Sequence, residues 1–145
     1  MEGTTDFTVQ FLPFFAEHPR ACFELRTKSI RTKTLLQSQA LQNCVVAFSM
    51  TPQSLAAEFE IGAPSIIRRL EAIAALQEHG WPIGLRFDPL IYDRDYQTRY
   101  SELFEQVFAT VKIEMLHSVS LGQFRLPREI YKTVHKLYPD EKLLA

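Results

Sequence analysis

The sequence is poor in cysteine, in net charge and in long apolar runs, and each shortage excludes a class of protein. Only Cys22 and Cys44 occur among 145 residues, and they form no CxxC motif or cysteine–histidine cluster. A disulfide framework or a zinc site is therefore not expected. The formal charge of −1, from 16 basic and 17 acidic residues, provides no overall attraction to nucleic acid or membranes, although a local basic pocket remains open.

The N-terminus also lacks the features of a secretory signal. The segment MEGTTDFTVQFLPFF has no basic beginning, and Pro13 interrupts its short apolar run. No apolar run approaches the roughly 18 residues that indicate a membrane-spanning helix. With few cysteines and no such segments, we expect a cytoplasmic protein with reduced thiols and no membrane partner.

The sequence does have enough apolar material for one domain. Hydrophobic residues make up 46% of the chain and aromatic residues 12%, which is typical of a folded domain with a sizeable core. We therefore expect a single domain over residues 1–145.

Apolar periodicity, together with proline and glycine punctuation, predicts strands and helices in alternation. The predicted strands are 21–28, 44–50, 81–88 and 113–122. The predicted helices are 8–18, 30–39, a pair of pieces beginning at 52 and 65, then 96–111 and 127–138. Strands that alternate with helices lie parallel and are joined by right-handed crossovers. The sequence thus predicts an α/β fold of four parallel βα units.

Each predicted strand divides into an apolar face and a polar face, because alternate residues of a strand point to opposite sides. The apolar faces comprise Phe23 and Leu25; Val46, Phe48 and Met50; Ile83, Leu85 and Phe87; and Met115 and Val119, with His117 between them. The opposite faces comprise Glu24, Arg26 and Lys28; Ala47 and Ser49; Gly84, Arg86 and Asp88; and Ser118 and Ser120.

This division favours a partial barrel with a wide polar lumen. Parallel strands of a doubly wound sheet are apolar on both faces, and a TIM-barrel interior is filled by Val, Ile and Leu. We expect the apolar faces to pack on helices and the polar faces to line a cavity. A sheet with one solvent-exposed face would alternate in the same way. The polar residues gather late in their strands, however, where α/β folds bind ligands.

The predicted barrel is incomplete. A closed parallel barrel needs about 200 residues or more, and four units make an open half with unpaired strand edges, which normally need cover. We therefore expect the chain to pair with itself, to pair with another polypeptide, or to be a piece of a longer protein.

Four segments, each at the end of a predicted strand, resemble a known family. They are ELRTKS (24–29), VVAFSMTP (45–52), GLRFDPLIY (84–92) and SLGQFRLP (120–127). Together they resemble the C-terminal half of the spore photoproduct lyase family of radical SAM enzymes, over about residues 9–139. The resemblance implies half of a partial TIM barrel of the radical SAM type, without the N-terminal cluster-binding half.

The resemblance also implies a chemistry for the full-length family. Its members hold a [4Fe–4S] cluster through a CxxxCxxC motif and use it to cleave S-adenosylmethionine, and the resulting radical repairs a thymine dimer in DNA. This sequence contains no CxxxCxxC, and two cysteines cannot supply three thiolates. No complete cofactor site is expected here, and we expect the chain alone to be inactive, with DNA a partner of the complete family fold.

By the same resemblance, Lys28, Ser49 and Asp88 are expected to contact S-adenosylmethionine. A lysine suits its carboxylate or ribose oxygens, and a serine both donates and accepts. The expected substrate-side residues are Arg26, Arg86, Arg125 and Tyr96. Similar sequences often carry histidine in place of Arg86 and tryptophan in place of Tyr96. No catalytic residue is assigned, and the scattered histidines are not expected to bind metal.

Ordinary structural roles remain open for all of these residues. Lys28 could be a solvated strand-end lysine, Ser49 a small residue in a crowded lumen, and Asp88 a turn former before proline. Glu24 and Arg26 could pair with each other, and Arg125 could cap a loop. The tyrosines at 92, 96 and 100 could stack bases beside Arg94 and Arg99 or simply pack on helices.

Three functional hypotheses follow. The first is a radical SAM half-barrel that works only with an N-terminal half. The second is a non-catalytic α/β module that binds a small anionic ligand or a partner protein. The third is a truncated gene product without an independent role.

Overall fold

Four strands and six α-helices alternate along the part of the chain that the structure, a computed structural model, describes: residues 7–140 and Leu143. The strands are β1 (Phe23–Thr27), β2 (Cys44–Ser49), β3 (Ile83–Leu90) and β4 (Leu116–Gln123). The helices are α1 (Phe7–Glu17), α2 (Lys33–Gln37), α3 (Gln53–Phe59), α4 (Ile66–Glu78), α5 (Tyr96–Thr110) and α6 (Arg128–Leu137).

All four strands lie parallel in one sheet, in the order β1-β2-β3-β4. Every crossover contains a helix, and each moves one step in the same direction, as in a barrel wall. Within the described residues the sheet stays open, with β1 and β4 at its edges. The predicted fold class, an α/β fold of four parallel βα units in an unclosed barrel, is confirmed.

Local sequence signals explain where α4 begins and ends. Ser65 precedes α4 and its hydroxyl accepts a hydrogen bond from the Arg68 backbone N–H, an ordinary N-cap. Gly80 follows α4 with a φ of 90°, a backbone conformation that favours glycine and ends the helix. β4 starts three residues later than the predicted strand 113–122, because Ile113–Met115 forms a short 3-10 turn before it.

The core lies between the apolar face of the sheet and the helices. Phe48, Ile83, Leu85 and Phe87 are almost fully buried there, as is Ile73 of α4. Burying side chains of this size contributes about 1.5–3 kcal/mol each. The apolar faces of β2 and β3 thus pack on helices as the alternation predicts.

β4 departs from that prediction. Val119 is 46% exposed and Leu121 is 64% exposed, although both lie on the side of the sheet that carries Leu85 and Phe87. The helix that follows does not cover them, because none of the residues of α6 is buried. The expectation that every apolar face packs on a helix is therefore wrong for the edge strand.

The helices of the described residues do not resemble membrane spans. None of them is both long enough and apolar enough to cross a bilayer.

Candidate functional site

The opposite face of the sheet carries charged side chains that reach across neighbouring strands. β2 lies in the middle of this region and all of its residues are buried, including Ala47 and Ser49 on the polar face. Long side chains from β1 and β3 meet above β2, and these contacts define the candidate site.

Arg86 of β3 links three strands. Its Nε and Nη2 atoms donate to the two carboxylate oxygens of Glu24 on β1, at 3.0 and 2.6 Å. The same guanidinium donates to the Ser118 hydroxyl at 3.0 Å and to the backbone carbonyls of Ser118 and Leu85. All five N–H donors of an arginine are thereby used within the chain. Arg86 thus links β1, β3 and β4, and its predicted place on the substrate side stays a prediction.

Two glycines make room for these long side chains. A Cβ atom on Gly84 would lie 2.8 Å from Nη2 of Arg86, and one on Gly122 would lie 2.8 Å from Oδ1 of Asp88. Contacts that short do not occur in ordinary structures, so larger residues would displace the charged groups. Glycine at these positions lets the Arg86 and Asp88 side chains lie flat against the sheet.

The Glu24 carboxyl is held in its charged form. The hydrogen bond from Arg86 lowers the pKa of Glu24, partial burial opposes this, and the charges of Arg86, Arg26 and His117 lower it further. The suggested pairing of Glu24 with Arg26 is wrong, because each reaches β3 rather than its neighbour on β1. Arg86 offers Glu24 a bidentate, charge-assisted pair, which is the stronger arrangement.

Arg26, Ser49 and Asp88, each predicted for the site, lie together. Nη2 of Arg26 is 3.3 Å from Oδ2 of Asp88 and donates to the Asp88 backbone carbonyl at 2.9 Å. Nε of Arg26 donates to the Ser49 hydroxyl at 3.4 Å. The Arg26 and Asp88 side chains are 43% and 42% exposed, so these two charged groups remain accessible, whereas Ser49 between them is buried.

Lys28 lies directly after β1 and contacts Glu60, which follows α3. Its Nζ atom is 3.0 Å from Oε1 of Glu60. The same oxygen accepts a hydrogen bond from the Thr51 hydroxyl at 2.8 Å. The other carboxylate oxygen is 2.5 Å from Nη2 of Arg69. Lys28 is therefore part of a charged network, and not a freely solvated lysine.

Arg69 anchors that network from inside α4. The whole side chain is buried, and it also donates to the carbonyls of Ser49 and Pro64, at 2.9 and 3.0 Å. The sequence analysis missed both Glu60 and Arg69. A signal was present, because Arg69 follows Ile66 by three residues and precedes Ile73 by four, which places a charge on the buried stripe of α4.

Glu60 stays ionised although its carboxylate is nearly buried. Burial raises the pKa of the Glu60 carboxyl, but hydrogen bonds from Arg69, Thr51 and Lys28 outweigh that effect and hold the pKa below its usual value. A buried carboxylate is tolerated when its oxygens are paired in this way.

Arg26 and Lys28 also line an open cavity of about 930 Å³ beside β1. The cavity is also lined by Phe7 of α1 and Leu35 of α2. Its volume falls in the range of about 300–1,000 Å³ that small-molecule sites occupy. The basic end of β1 thus borders a space large enough for a ligand.

Within the part of the chain that the structure describes, neither Arg125 nor Tyr96 contacts Arg26, Ser49 or Asp88. Arg125 is exposed between β4 and α6. Tyr96 is 38% exposed at the start of α5, with its ring centroid 5.1 Å from that of Tyr92. Tyr100 is buried and its hydroxyl accepts a hydrogen bond from the Ile91 backbone N–H at 2.8 Å, so its role is packing. Arg99 pairs with Asp93 at 2.9 Å.

The described residues do not fit an iron–sulfur cluster. Such a cluster is held by several thiolates, whereas Cys22 lies before β1 and Cys44 is buried at the start of β2, at the opposite end of the strands from Lys28. Between residues 7 and 140 no three His, Cys, Asp or Glu side chains gather as a metal site. Lys28, Ser49 and Asp88 do fit the amino-acid and ribose groups of S-adenosylmethionine, since they combine an ammonium, a hydroxyl and a carboxylate.

Comparison with known proteins gives consistent relatives. A sequence-family model described as spore photoproduct lyase matches residues 2–145. The spore photoproduct lyase of Bacillus subtilis (strain 168) is 26% identical over 98 residues, covering 66% of this chain and 29% of that protein.

Solved structures of similar proteins show the same fold. A spore photoproduct lyase variant with bound AdoMet and dinucleoside spore photoproduct has a TM-score of 0.73 at 21% identity, covering 83% of this chain and 36% of that chain. Spore photoproduct lyase complexed with dinucleoside spore photoproduct has a TM-score of 0.68 at 20% identity, with the same coverage. The chain therefore spans about a third of the length of these relatives.

Proposed function

The chain belongs to the spore photoproduct lyase family, and from that premise we propose that it forms the S-adenosylmethionine-contacting half of a radical SAM barrel that repairs DNA photoproducts. Further polypeptide carries the iron–sulfur cluster in this proposal, because the described residues do not fit one. Residues 1–145 act as a single domain within that assembly, inactive without the cluster-bearing part.

One observation carries the proposal: Ser49 and Asp88 meet Arg26 at the carboxyl ends of adjacent parallel strands, and Lys28 follows directly after β1. Barrel enzymes bind their ligands at this end of the strands. A solved relative contains bound AdoMet, which supports the choice of ligand.

Each residue has an assigned task. Lys28 has three N–H donors, of which Glu60 takes one, and the others are available for the carboxylate or ribose oxygens of S-adenosylmethionine. Ser49 accepts from Arg26 and still has its own hydroxyl proton to donate. Asp88 accepts from ligand N–H or O–H groups. When bound at a cluster, S-adenosylmethionine supplies the radical; these residues bind and orient it.

The DNA side of the proposal rests on exposed residues. We assign Arg125 and Tyr96 to it, because an exposed arginine and a half-exposed tyrosine can contact phosphate and stack on a base. Arg26 is 43% exposed beside Asp88, and we assign it to the substrate side as well. Arg86 supports the site through Glu24 and Ser118, and its place on the substrate side stays a prediction.

Calorimetry with S-adenosylmethionine tests the proposal on the chain as it is. Lys28→Met should weaken binding by about tenfold, which corresponds to about 1.4 kcal/mol. Lys112→Met is the matched control: Lys112 is an exposed lysine before β4, at the other end of the strands, and its loss should leave the affinity unchanged. Absence of measurable binding to the wild-type chain would overturn the proposal.

A second candidate function is a non-catalytic interaction module. Val119 and Leu121 lie exposed on one face of β4, which favours this candidate because exposed apolar patches mark contact surfaces. Ile130 and Leu137 of α6 are exposed as well. The partner is then the cluster-bearing polypeptide or a second copy of this chain. Light scattering that shows a concentration-dependent dimer, combined with no S-adenosylmethionine binding, would select this candidate.

A further inference from the structure

We infer that Glu60 is a positioning residue: together with buried Arg69, it holds the Lys28 ammonium in place at the end of β1, ready for an anionic group of the ligand. The part of this inference that concerns the ligand rests on the proposed function. The part that concerns Lys28 itself stands on geometry alone.

The geometry begins with the shared carboxylate oxygen. Oε1 of Glu60 accepts from Lys28 at 3.0 Å and from Thr51 at 2.8 Å, while Oε2 accepts from Arg69 at 2.5 Å. Both oxygens are therefore held, and the carboxylate cannot rotate without losing one of these contacts. Because Oε1 is fixed, the Lys28 ammonium that binds it is held at one position.

Arg69 makes this arrangement rigid. It is wholly buried, and its Nε and Nη1 atoms donate to the carbonyls of Pro64 and Ser49. Ser49 belongs to the end of β2, so the same guanidinium fixes the strand end and the Glu60 carboxylate relative to each other. Because Glu60 in turn binds Lys28, the Lys28 ammonium is held at a fixed position relative to the end of β2, which carries Ser49.

The unequal exposure of the three side chains separates their roles. Lys28 is 42% exposed, whereas Glu60 is 8% exposed and Arg69 is 0% exposed. A ligand can reach the lysine but not the two groups behind it. A free lysine has four flexible side-chain torsions, and prior fixation by Glu60 removes much of the entropy that ligand binding would otherwise cost.

The first experiment measures Lys28 without any ligand. In NMR relaxation of the chain with 13Cε-labelled lysine, the Lys28 signal should be ordered in the wild type and mobile in Glu60→Gln. Glu105→Gln, which removes an exposed carboxylate from α5, should leave Lys28 ordered. A Lys28 that is equally mobile in wild type and Glu60→Gln would overturn the inference.

A second variant keeps the test valid if Glu60→Gln fails to fold. Glu60→Asp keeps the charge for Arg69, but its shorter side chain cannot hold Arg69 and Lys28 together. It should also release Lys28, with less loss of stability than Glu60→Gln. If Lys28 remains ordered in whichever of these variants folds, the inference is wrong.

A double-mutant cycle measures the effect on the ligand. Glu60→Gln should weaken S-adenosylmethionine binding by about fivefold to tenfold in the wild-type background, the loss expected of about one charge-assisted hydrogen bond. In the Lys28→Met background it should have no further effect, because Glu60 acts through Lys28. Equal losses in both backgrounds would mean that Glu60 is merely structural and would overturn the inference.

The two experiments separate this inference from the proposed function. If the wild-type chain binds no S-adenosylmethionine but Glu60→Gln still frees Lys28, the proposed function fails and the positioning of Lys28 stands. If the chain binds S-adenosylmethionine and Lys28 is unaffected by Glu60→Gln, the proposed function stands and the positioning role fails.

Discussion

The third and fourth strands of the sheet share one alternating pattern but differ completely in burial. Leu85 of β3 is 0% exposed, while Leu121 of β4, on the same side of the sheet, is 64% exposed. Helices cover Leu85, whereas α6, the helix that follows β4, has no buried residue and leaves Leu121 uncovered. Alternation therefore reveals which residues share a face, but not whether anything covers that face.

The polar side of the sheet shows a related contrast. At the ends of β1 and β2, Lys28, Glu60, Thr51 and Arg69 form a network in which the buried charges all have partners. On β4, Ser118 joins the site only by accepting hydrogen bonds from Arg86. The β1–β3 region is thus stabilised on both faces, whereas β4 is held mainly through its pairing with β3.

The largest effect should come from breaking the buried network. Arg69→Leu removes the main partner of a nearly buried carboxylate, and we expect a loss of about 3–5 kcal/mol in the free energy of unfolding. Arg68→Leu is the control, because Arg68 is the adjacent, exposed residue of α4; it should cost at most about 0.5 kcal/mol. Urea unfolding measures both, and similar losses would mean that the network does not stabilise this region.

A matched pair of leucines tests the apolar contrast. Leu85→Ala should cost about 2–5 kcal/mol because it opens a cavity in the core. Leu121→Ala in the same chain should cost at most about 0.5 kcal/mol, since its side chain already contacts solvent. Thermal or urea unfolding compares the two. A Leu121 cost close to that of Leu85 would show that β4 is covered in solution, through self-association or a docked α6.

The smallest effect should come from acid. Burial raises the pKa of Glu60 but its hydrogen bonds prevail, and the hydrogen bond from Arg86 lowers the pKa of Glu24. A carboxyl with a lowered pKa in the folded state adds stability that is fully present above its unfolded pKa of about 4.3. That stability is lost as the pH falls through the lower folded value. Protonation of Glu60 leaves Arg69 its hydrogen bonds to the carbonyls of Pro64 and Ser49, whereas Arg69→Leu leaves an ionised carboxylate without its main partner, so the loss in acid should be smaller than in Arg69→Leu.

Urea unfolding as a function of pH checks this prediction. The decline below about pH 4.3 should be shallower in the double variant Glu24→Gln/Glu60→Gln, while Glu105→Gln should follow the wild type. An unchanged decline in the double variant would assign the acid sensitivity to other carboxyls.

Much of the fold could be predicted because it depends on local patterns. Strand alternation and helical periodicity need only the spacing of apolar residues, and the four parallel units and their shared polar face followed from it. Capping by Ser65 and termination at Gly80 are equally local. The covering of β4 could not be predicted, because it depends on where α6 lies and not on the residues of β4.

The candidate site was predicted only in part. Arg26, Ser49 and Asp88 meet because parallel neighbours place the ends of their strands at one edge of the sheet. The partners of Glu24 and Lys28 were missed, since Arg86 and Glu60 lie 62 and 32 residues away from them along the chain. Long charged side chains have many partners within reach, and sequence spacing does not rank them.

The amino-acid sequence by itself therefore determined the helices and strands, the parallel direction of the strands and the division of each strand into two faces. These features depend on the backbone period and on the spacing of apolar residues. The charge pairings, the burial of Arg69 and the exposure of Leu121 became apparent only in three dimensions. Each of these depends on distant segments meeting in space, where burial and hydrogen-bond geometry select one partner from several of equal chemistry.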